Sequence, residues 1–363
     1  MNKHNLNTKK LVICLDGFRH GGTQHAILHF LPYLCENFNK VYLLVLQENK
    51  FDLPTPELVN LEVIKYKSKK FFDVLLFIRL IGFFWSRQPD IILSSMFRSM
   101  TITCMTKNLK SKIFWMEQNT YIMRTLIQWK LLRVLALKVY KVICISSDVA
   151  TYTSSYIPIQ NKVVIIPNPI TIPQSKRLSR PSKNEFIFIG RLVKQKDPVL
   201  ALKSFHHFLE KYDSNSLLHI VGNGDLEKQL KNLSYKLNIS KRCIFHGFLS
   251  NKDVYTILRQ TTALISTSNI EGFAMVRFEA LVNGNCLITT NTAGTDQYLK
   301  RAFNTGVFVA SPNKVDFSDK MFKSTNYRYW EKKVIEERIK LGLNFSPQSV
   351  SSLLIKEFES IKN

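Results

Sequence analysis

The sequence is short of acidic residues. Its 363 residues hold 27 Asp and Glu against 51 Lys and Arg, a formal net charge of +24 with a pI of about 9.8. Such a charge attracts anions, including nucleic acids, acidic lipids and phosphorylated substrates. The excess is +12 in residues 1–172 and +12 in the remainder, so no basic arm of a nucleic-acid-binding protein is indicated. A Lys-rich, solvated surface explains the same excess without any ligand.

Paired cysteines, a signal peptide and a long apolar run are also missing. None of the six cysteines stands in a CxxC pair, which favours the reduced thiols of a cytosolic protein over a disulfide framework or a zinc site. The first ten residues lack the apolar core of a signal peptide. The apolar stretch Phe71–Trp85 is interrupted by Asp73 and Arg79 and is too short to span a bilayer. We therefore expect a cytoplasmic protein.

Strand and helix patterns alternate along both halves of the chain, which predicts two parallel sheets covered by helices. A segment rich in Pro, Pro167–Lys183, predicts an exposed linker between them. The predicted domains are 1–172 and 173–328, followed by C-terminal helices over 329–363 that pack back toward the first domain. The expected fold is α/β, with two Rossmann-like domains facing across a cleft, and ligands bind such sheets at the carboxyl ends of the strands.

Loops at predicted strand ends in the second half contain the candidate binding residues. Gly190–Lys196 places Arg191 and Lys196 beside a helix N-terminus, which suits a diphosphate, although a solvated basic loop is the simpler interpretation when the loop is taken alone. Gly222–Gly224 could bring backbone N–H groups near a nucleotide or form an ordinary tight turn. Asn291–Asp296 is a third loop of this kind.

Two glutamates, Glu271 and Glu279, frame a fourth loop and the start of a helix. If that helix begins near Met275, both carboxylates can face the same cleft. Glu279 could then accept hydrogen bonds from two ribose hydroxyls, because an ionised carboxylate accepts on both oxygens. Glu271 could bind the hydroxyls of a sugar. Alone, the pair is a weak signal, because a capping Glu and a helix-surface Glu would look the same.

Taken in order along the chain, these motifs resemble the retaining glycosyltransferases of GT-B fold that build bacterial polysaccharides and lipopolysaccharides. The Glu, seven residues, Glu spacing is the most specific match. The matching residues are Gly21-Gly22, Pro167-Asn168-Pro169, Gly190-Arg191, Lys196, Gly222-Asn223-Gly224, Ser268, Glu271-Gly272-Phe273, Glu279-Ala280, Gly284, Ala293-Gly294 and Gly306.

The resemblance implies a hexosyltransferase that uses a UDP- or GDP-sugar and needs no metal or other cofactor. Arg191 and Lys196 would bind the donor diphosphate and stabilise it as a leaving group, and these two residues with Glu271 would be catalytic. The donor site would also include Gly22, Gly222, Gly272, Phe273 and Glu279. The acceptor would be a growing surface glycan such as O-antigen, capsule or lipopolysaccharide, as an oligosaccharide or linked to a lipid.

The acceptor side departs from the family pattern. Gln24 stands where the family usually has Glu, and Glu117-Gln118-Asn119 stands where many members have His. Gln24, Gln118 and Asn119 are therefore the candidate acceptor-side residues. A catalytically altered binding protein of the same fold is an alternative function. A nucleic-acid-binding protein is a third, supported only by the charge.

A predicted helix over 121–140 carries Lys130, Arg133 and Lys138 on one side, with Lys141 just beyond it. Leu131, Leu132, Leu135 and Val139 lie largely opposite. Such a helix suits an anionic membrane surface or a lipid-diphosphate acceptor, although a core-packed helix with an exposed basic face gives the same pattern. The first interpretation predicts peripheral attachment to the cytoplasmic face of the inner membrane.

Overall fold

A computed structural model describes residues 6–19, 21–50, 52–68, 73–108, 110–118, 124–174 and 177–361. Its contacts divide the chain into two compact units. The first unit comprises residues 1–169 together with 347–363, and the second comprises 170–346. Each unit is built on one parallel sheet.

The sheet of the first unit has seven strands in the order β3-β2-β1-β4-β5-β6-β7. The strands are β1 Lys10–Leu15, β2 Lys40–Val45, β3 Leu61–Lys65, β4 Ile91–Ser95, β5 Lys112–Glu117, β6 Val139–Cys144 and β7 Val163–Ile165. The central strands β1 and β4 are almost entirely buried, as their apolar sequences require of a parallel sheet with two covered faces. β1 pairs with β2 on one side and with β4 on the other, so the strand order reverses there.

Helices cover both faces of this sheet. They are α1 Gly22–Asn37, α2 Val74–Arg87, α3 Phe97–Thr106, α4 Leu126–Leu135, α5 Ser147–Ser154 and, from the chain end, α13 Pro347–Glu359. α1 packs on α13, and Phe358 of α13 makes edge-on contacts with Phe38 and Phe114. α3 contacts both α2 and α4. Right-handed crossovers place α2, α3 and α4 together on the face opposite α1, because those three connections run along the sheet in the other direction.

The second unit repeats this plan with six parallel strands in the order β10-β9-β8-β11-β12-β13. The strands are β8 Glu185–Ile189, β9 Leu217–Val221, β10 Cys243–Gly247, β11 Ala263–Ser266, β12 Cys286–Thr290 and β13 Val307–Ala310. The helices are α6 Pro198–Lys211, α7 Glu227–Lys236, α8 Asn251–Gln260, α9 Met275–Val282, α10 Thr295–Leu299, α11 Lys314–Ser324 and α12 Lys332–Leu343. Here the order reverses between β8 and β11.

Two predictions about local structure were wrong. The helix expected over 121–140 ends at Leu135, and a short 3-10 turn then leads into β6, which contains Val139 and Lys141. Strand pairing with β5 determines the structure there, despite an amphipathic pattern that continues across the junction. The first part of the expected linker is also buried rather than exposed, since Asn168 is 4% exposed and Ile170 is fully buried. Residues 121–123 lie outside the described part of the chain.

The units divide the chain at 169/170 and 346/347, whereas the predicted domains divide it at 172/173 and 328/329. α12 therefore belongs to the second unit, where it packs on α9, and α13 belongs to the first. All six cysteines are buried free thiols. No helix in the described residues is both long and apolar enough to cross a bilayer.

Candidate functional site

Two loops meet where the strand order of the second sheet reverses. One follows β8 and contains Arg191 and Lys196, and the other follows β11 and leads to Glu271. Backbone and side-chain hydrogen bonds join them: Asn269 N donates to Gln195 O at 2.9 Å, and Gln195 Nε2 donates to Ile270 O at 3.1 Å. A reversal of strand order opens a crevice at the carboxyl ends of the strands, which is where such sheets bind ligands.

A buried ion pair lies at this junction. Lys196 Nζ pairs with Glu271 Oε1, which also accepts a 2.6 Å hydrogen bond from Ser268 Oγ. Burial raises the pKa of the Glu271 carboxyl, since only 7% of the residue is exposed. The charges of Lys196 and Arg277 and the hydrogen bonds outweigh burial and hold this pKa below its ordinary value. Glu271 is therefore an anion at neutral pH, and its position and that of Lys196 fix each other.

Arg191 remains at the surface of the same loop. Its Nη2 makes a long, 3.4 Å hydrogen bond to Gln195 Oε1, and the residue is exposed. A guanidinium held this weakly keeps most of its five donors for a ligand. The sequence predicted that Arg191 and Lys196 bind a diphosphate together. The structure places both on one loop, but Arg191 is open to solvent whereas Lys196 is already paired with Glu271.

The glycines of the next loop serve close packing. A Cβ atom on Gly222 would lie 2.0 Å from Gly190 O, and its φ of +126° suits glycine. The N–H of Gly222 donates to Gly247 O at 2.7 Å, so that amide is committed within the protein. Gly224 is equally tight against Leu192 O, at 2.4 Å. Because these glycines have no Cβ, the loops after β8 and β9 pack in direct contact. This contact supports the loop that carries Arg191.

Glu279 lies one turn inside α9 and has a separate environment. Its Oε1 accepts a 3.3 Å hydrogen bond from Thr171 N, at the start of the second unit. Burial raises the pKa of Glu279 to about 7, and the Thr171 hydrogen bonds oppose the rise only in part. Tyr255, whose hydroxyl donates to Thr171 O, lies beside it. A carboxyl with so few donors around it has lone pairs left for ligand hydroxyls.

The start of α9 lacks a side-chain cap. Ala274, its N-cap residue, has a left-handed φ of +46°, an uncommon conformation for a residue with a Cβ. Gly272 is partly exposed in the loop before it. Phe273, by contrast, is 4% exposed and stacks on Phe278 at 4.7 Å between ring centroids. Phe273 can therefore contribute its backbone to a ligand, while its ring anchors the loop in the core.

Arg277 was missed as a site residue by the sequence reasoning. It is 1% exposed, and its guanidinium donates to Ser266 Oγ at 3.0 Å and to Thr295 Oγ1 at 3.1 Å. Burial lowers the pKa of Arg277 to about 10, against the opposing effect of Glu271. The available signal was a single cation among the apolar residues of α9. Its contacts tie the end of β11 to the start of α10, within the predicted loop 291–296.

The predicted residues of the first unit lie near its own point of strand reversal. Gly22 begins α1, and a Cβ atom there would meet nothing within 4 Å, so the space beside it is open. Gln24 is buried and donates to Gly17 O at 3.1 Å and to Met96 Sδ at 3.7 Å. Gln118 accepts a 2.9 Å hydrogen bond from Asn168 Nδ2. Asn119 lies outside the described residues.

Comparison with known protein families gives a match within the second unit. Residues 171–336 match the model of the family described as glycosyl transferases group 1. The chain carries a glycosyl transferases group 1 domain. The Lys196–Glu271 pair, Arg277 and Glu279 all lie within this group 1 domain.

Relatives and solved structures extend this similarity. The lipopolysaccharide 1,6-galactosyltransferase of Salmonella typhimurium is 27% identical over 164 residues, 44% of this chain and 42% of that protein. A Campylobacter jejuni N-acetylgalactosaminyltransferase, named for an undecaprenol-diphosphate-linked substrate, is 24% identical over 182 residues, 50% and 49% of the two chains. The chain spans about a third of the length of other curated relatives that it matches.

Similarity to solved structures establishes the fold over 97% of the chain. The crystal structure of Anabaena HepE in complex with UDP covers 97% of this chain and 100% of its own, with a TM-score of 0.81 at 13% identity. The chain therefore has the GT-B fold, with two Rossmann-like domains, as predicted. At this identity the likeness shows the fold alone, so the predicted site residues remain predictions.

Proposed function

We propose that the protein is a retaining glycosyltransferase that moves a hexose from a UDP- or GDP-sugar to a bacterial surface glycan. The observation that carries the proposal is the Lys196–Glu271 pair at the strand reversal of the group 1 domain. Two relatives named as glycosyltransferases of lipopolysaccharide and undecaprenol-linked glycans support it. The likeness in fold to a protein crystallised with UDP supports the choice of nucleotide.

The charges of this site suit the departure of a diphosphate. Breaking the anomeric C–O bond of a nucleotide sugar puts negative charge on the departing diphosphate. Arg191, Lys196 and Arg277 supply three cations against the single carboxylate of Glu271. Fixed cations in a partly buried site stabilise such a charge, and one well-placed contact can be worth roughly 10²–10³ in rate.

Positions within the site suggest which part of the donor each residue binds. Arg191, on the exposed edge of the loop, would bind the diphosphate with Lys196. Glu271 would hold sugar hydroxyls, and Glu279 would hold the ribose. The backbone at Gly272 and the uncapped start of α9 would add N–H donors. We propose that no metal is required, because these cations can do the work of a divalent ion.

The acceptor is proposed to be a lipid-linked glycan such as O-antigen, capsule or lipopolysaccharide, reached at the cytoplasmic face of the inner membrane. Gln24 and Gln118 lie at the carboxyl edge of the first sheet and are the candidate contacts for it. The alternative of an altered binding protein is motivated by Gln24, because its amide cannot act as an acid or base as a glutamate could, and this amide is buried and donates to Gly17 O.

Binding and turnover test the proposal separately. Calorimetry with UDP-, GDP- and ADP-sugars should show binding that weakens strongly in Lys196→Ala. Binding should stay unchanged in the matched control Lys194→Ala, which removes an exposed cation of the same loop that is not part of the Lys196–Glu271 pair. Binding of none of these donors would refute the proposal. Transfer of labelled sugar to a lipid-linked acceptor extract, with the anomeric configuration read by NMR, should give the retained product. Donor binding without any product would favour the altered binding protein.

A further inference from the structure

The outer side of α2, α3 and α4 in the first unit is unusually apolar. Half of the exposed large hydrophobic side chains in the described chain lie on these helices or on the turn after α4. On α2, Trp85 is 66% exposed, Ile78 60% and Val74 74%. The full set, here called the α2–α4 face, is Val74, Leu75, Ile78, Ile81, Trp85, Met105, Leu126, Ile127, Val134 and Leu137.

The exposed residues of α2 follow one stripe. Val74, Ile78, Ile81 and Trp85 are spaced by three or four residues, so they share one side of the helix. Leu76, Leu80 and Phe84 are buried on the other side and pack the helix onto its unit. The buried residues alone are enough to pack α2 onto its unit. The exposed stripe has no packing partner within the described part of the chain, since its four side chains remain exposed.

The charges on this face are all of one sign. α2, α3, α4 and the turn after α4 contain no Asp or Glu. Arg79, Lys130, Arg133 and Lys138 are exposed among the apolar side chains. The acidic residues nearest along the chain are Asp73, which caps the start of α2 by accepting from Leu76 N, Asp90, which accepts from Lys9 and the Lys10 amide, and Glu117, which is buried against Arg124.

We propose that the α2–α4 face docks on an anionic lipid bilayer, with Trp85 and the neighbouring aliphatic side chains entering the headgroup region. Apolar side chains bordered by cations bind such a surface by burying their area while Lys and Arg reach the lipid phosphates. Tryptophan is favoured at the boundary between water and hydrocarbon. The inference deepens the proposed membrane location, but it concerns binding to lipid and needs neither donor nor acceptor.

A second copy of the chain fits this face less well. A symmetric dimer would set Lys130, Arg133 and Arg79 against the same cations of the other copy, with no Asp or Glu within the three helices to pair them. Like charges brought together at an interface are destabilising. A bilayer that contains acidic lipid supplies the missing negative charge over the whole face, which is why we assign the lipid surface as the occupant.

The distribution of tryptophans gives a direct assay. Trp85 is exposed, whereas Trp115, Trp129 and Trp330 are 5% exposed or less. Full-length protein is mixed with vesicles of phosphatidylglycerol and phosphatidylcholine in equal parts, carrying lipid brominated on its acyl chains. We expect the Trp85 component of the fluorescence to be quenched on these vesicles and not on vesicles of phosphatidylcholine alone. Quenching that persists in Trp85→Leu, or no quenching at all, would overturn the proposed insertion.

Cosedimentation with the same vesicles tests the charges. Lys130→Gln/Arg133→Gln should weaken binding about 30-fold, since each cation near an acidic surface contributes about 1 kcal/mol. The matched control Lys332→Gln/Lys340→Gln removes two exposed cations from α12 of the other unit and should change binding little. An equal loss in both double variants would mean that net charge alone drives binding and would overturn the assignment of the face.

A third comparison tests the apolar residues. Ile78→Ser/Trp85→Ser should weaken vesicle binding at least tenfold, whereas Val59→Ser/Tyr235→Ser, which removes exposed apolar side chains elsewhere, should not. Thermal unfolding of each variant verifies the fold, because all four side chains are exposed. If the protein instead dimerises in sedimentation experiments, and Ile78→Ser/Trp85→Ser abolishes the dimer but not vesicle binding, the face is a protein interface and the proposal is wrong.

Discussion

Glu279 is expected to make both stability and donor binding depend on pH. Burial raises its pKa to about 7, against an ordinary value of 4.5. Between these values the folded protein holds a proton that the unfolded chain has released. The free energy of unfolding therefore falls as the pH rises from 4.5 to 7. A difference of about 2.5 in pKa corresponds to about 3 kcal/mol, an upper limit because the residue is not fully shielded from solvent.

Glu279→Gln removes this titration while keeping the size and one acceptor oxygen for Thr171 N. Relative to the parent protein, the variant should gain stability between pH 5 and pH 8, reaching about 1–3 kcal/mol at pH 8. Urea unfolding at both pH values measures the gain, and other titrating groups cancel in the comparison. Glu337→Gln, an exposed glutamate on α12, is the control and should show no such gain. A Glu279→Gln variant with the same pH slope as the parent would refute the reasoning.

Donor binding should respond in the opposite direction. If Glu279 accepts ribose hydroxyls as a carboxylate, binding of a nucleotide sugar should tighten as the pH rises, by up to about tenfold per pH unit below 7. Binding near pH 6 should also release a proton, which calorimetry in buffers of different ionisation enthalpy detects. Glu279→Gln should bind more weakly and without pH dependence. If Glu279→Gln is more stable but binds the nucleotide sugar more weakly, the Glu279 carboxylate serves donor binding and lowers the stability of the protein.

Three other outcomes follow from the geometry of the group 1 domain. Lys196→Ala should lower kcat roughly 10²–10³-fold, while Lys194→Ala should leave kcat and KM near those of the parent in the same assay. Gly222→Ala should reduce the free energy of unfolding by about 2 kcal/mol or more, because its Cβ would overlap Gly190 O, whereas Gly22→Ala, with open space beside it, should be nearly neutral in urea unfolding. Arg277→Met should raise the pKa of the Glu271 carboxyl and weaken donor binding in calorimetry, with a cooperative thermal transition preserved.

The fold was predictable because its signals are local and repeated. Apolar runs of strand length followed by helical patterns recur through both halves, and in parallel sheets such runs are buried on both faces. α9 begins at Met275, the start that the sequence analysis considered for the helix that carries Glu279. The pattern failed at Val139, where an amphipathic helix signal crosses into β6, because pairing between distant strands outweighs local periodicity.

The sequence identified candidate binding residues, but it could not show which of them lie close together in the fold. Lys196 and Glu271 are 75 residues apart, and only the adjacency of β8 and β11 makes them an ion pair. Phe273 had the position of a binding residue, yet its ring fills an aromatic cluster. Arg277 gave no signal beyond one cation in an apolar stretch, because its importance arises from burial between Ser266 and Thr295.

The sequence by itself determined the two α/β domains, the basic charge and the residues that could bind a nucleotide sugar. Each of these depends on composition, periodicity or the order of motifs along the chain. Tertiary structure decided which groups are buried, and therefore which are charged: it lowers the pKa of Glu271 beside Lys196 and raises that of Glu279. It also decided which apolar side chains of α2 and α4 remain exposed, because a helix has more apolar surface than one packing face can cover.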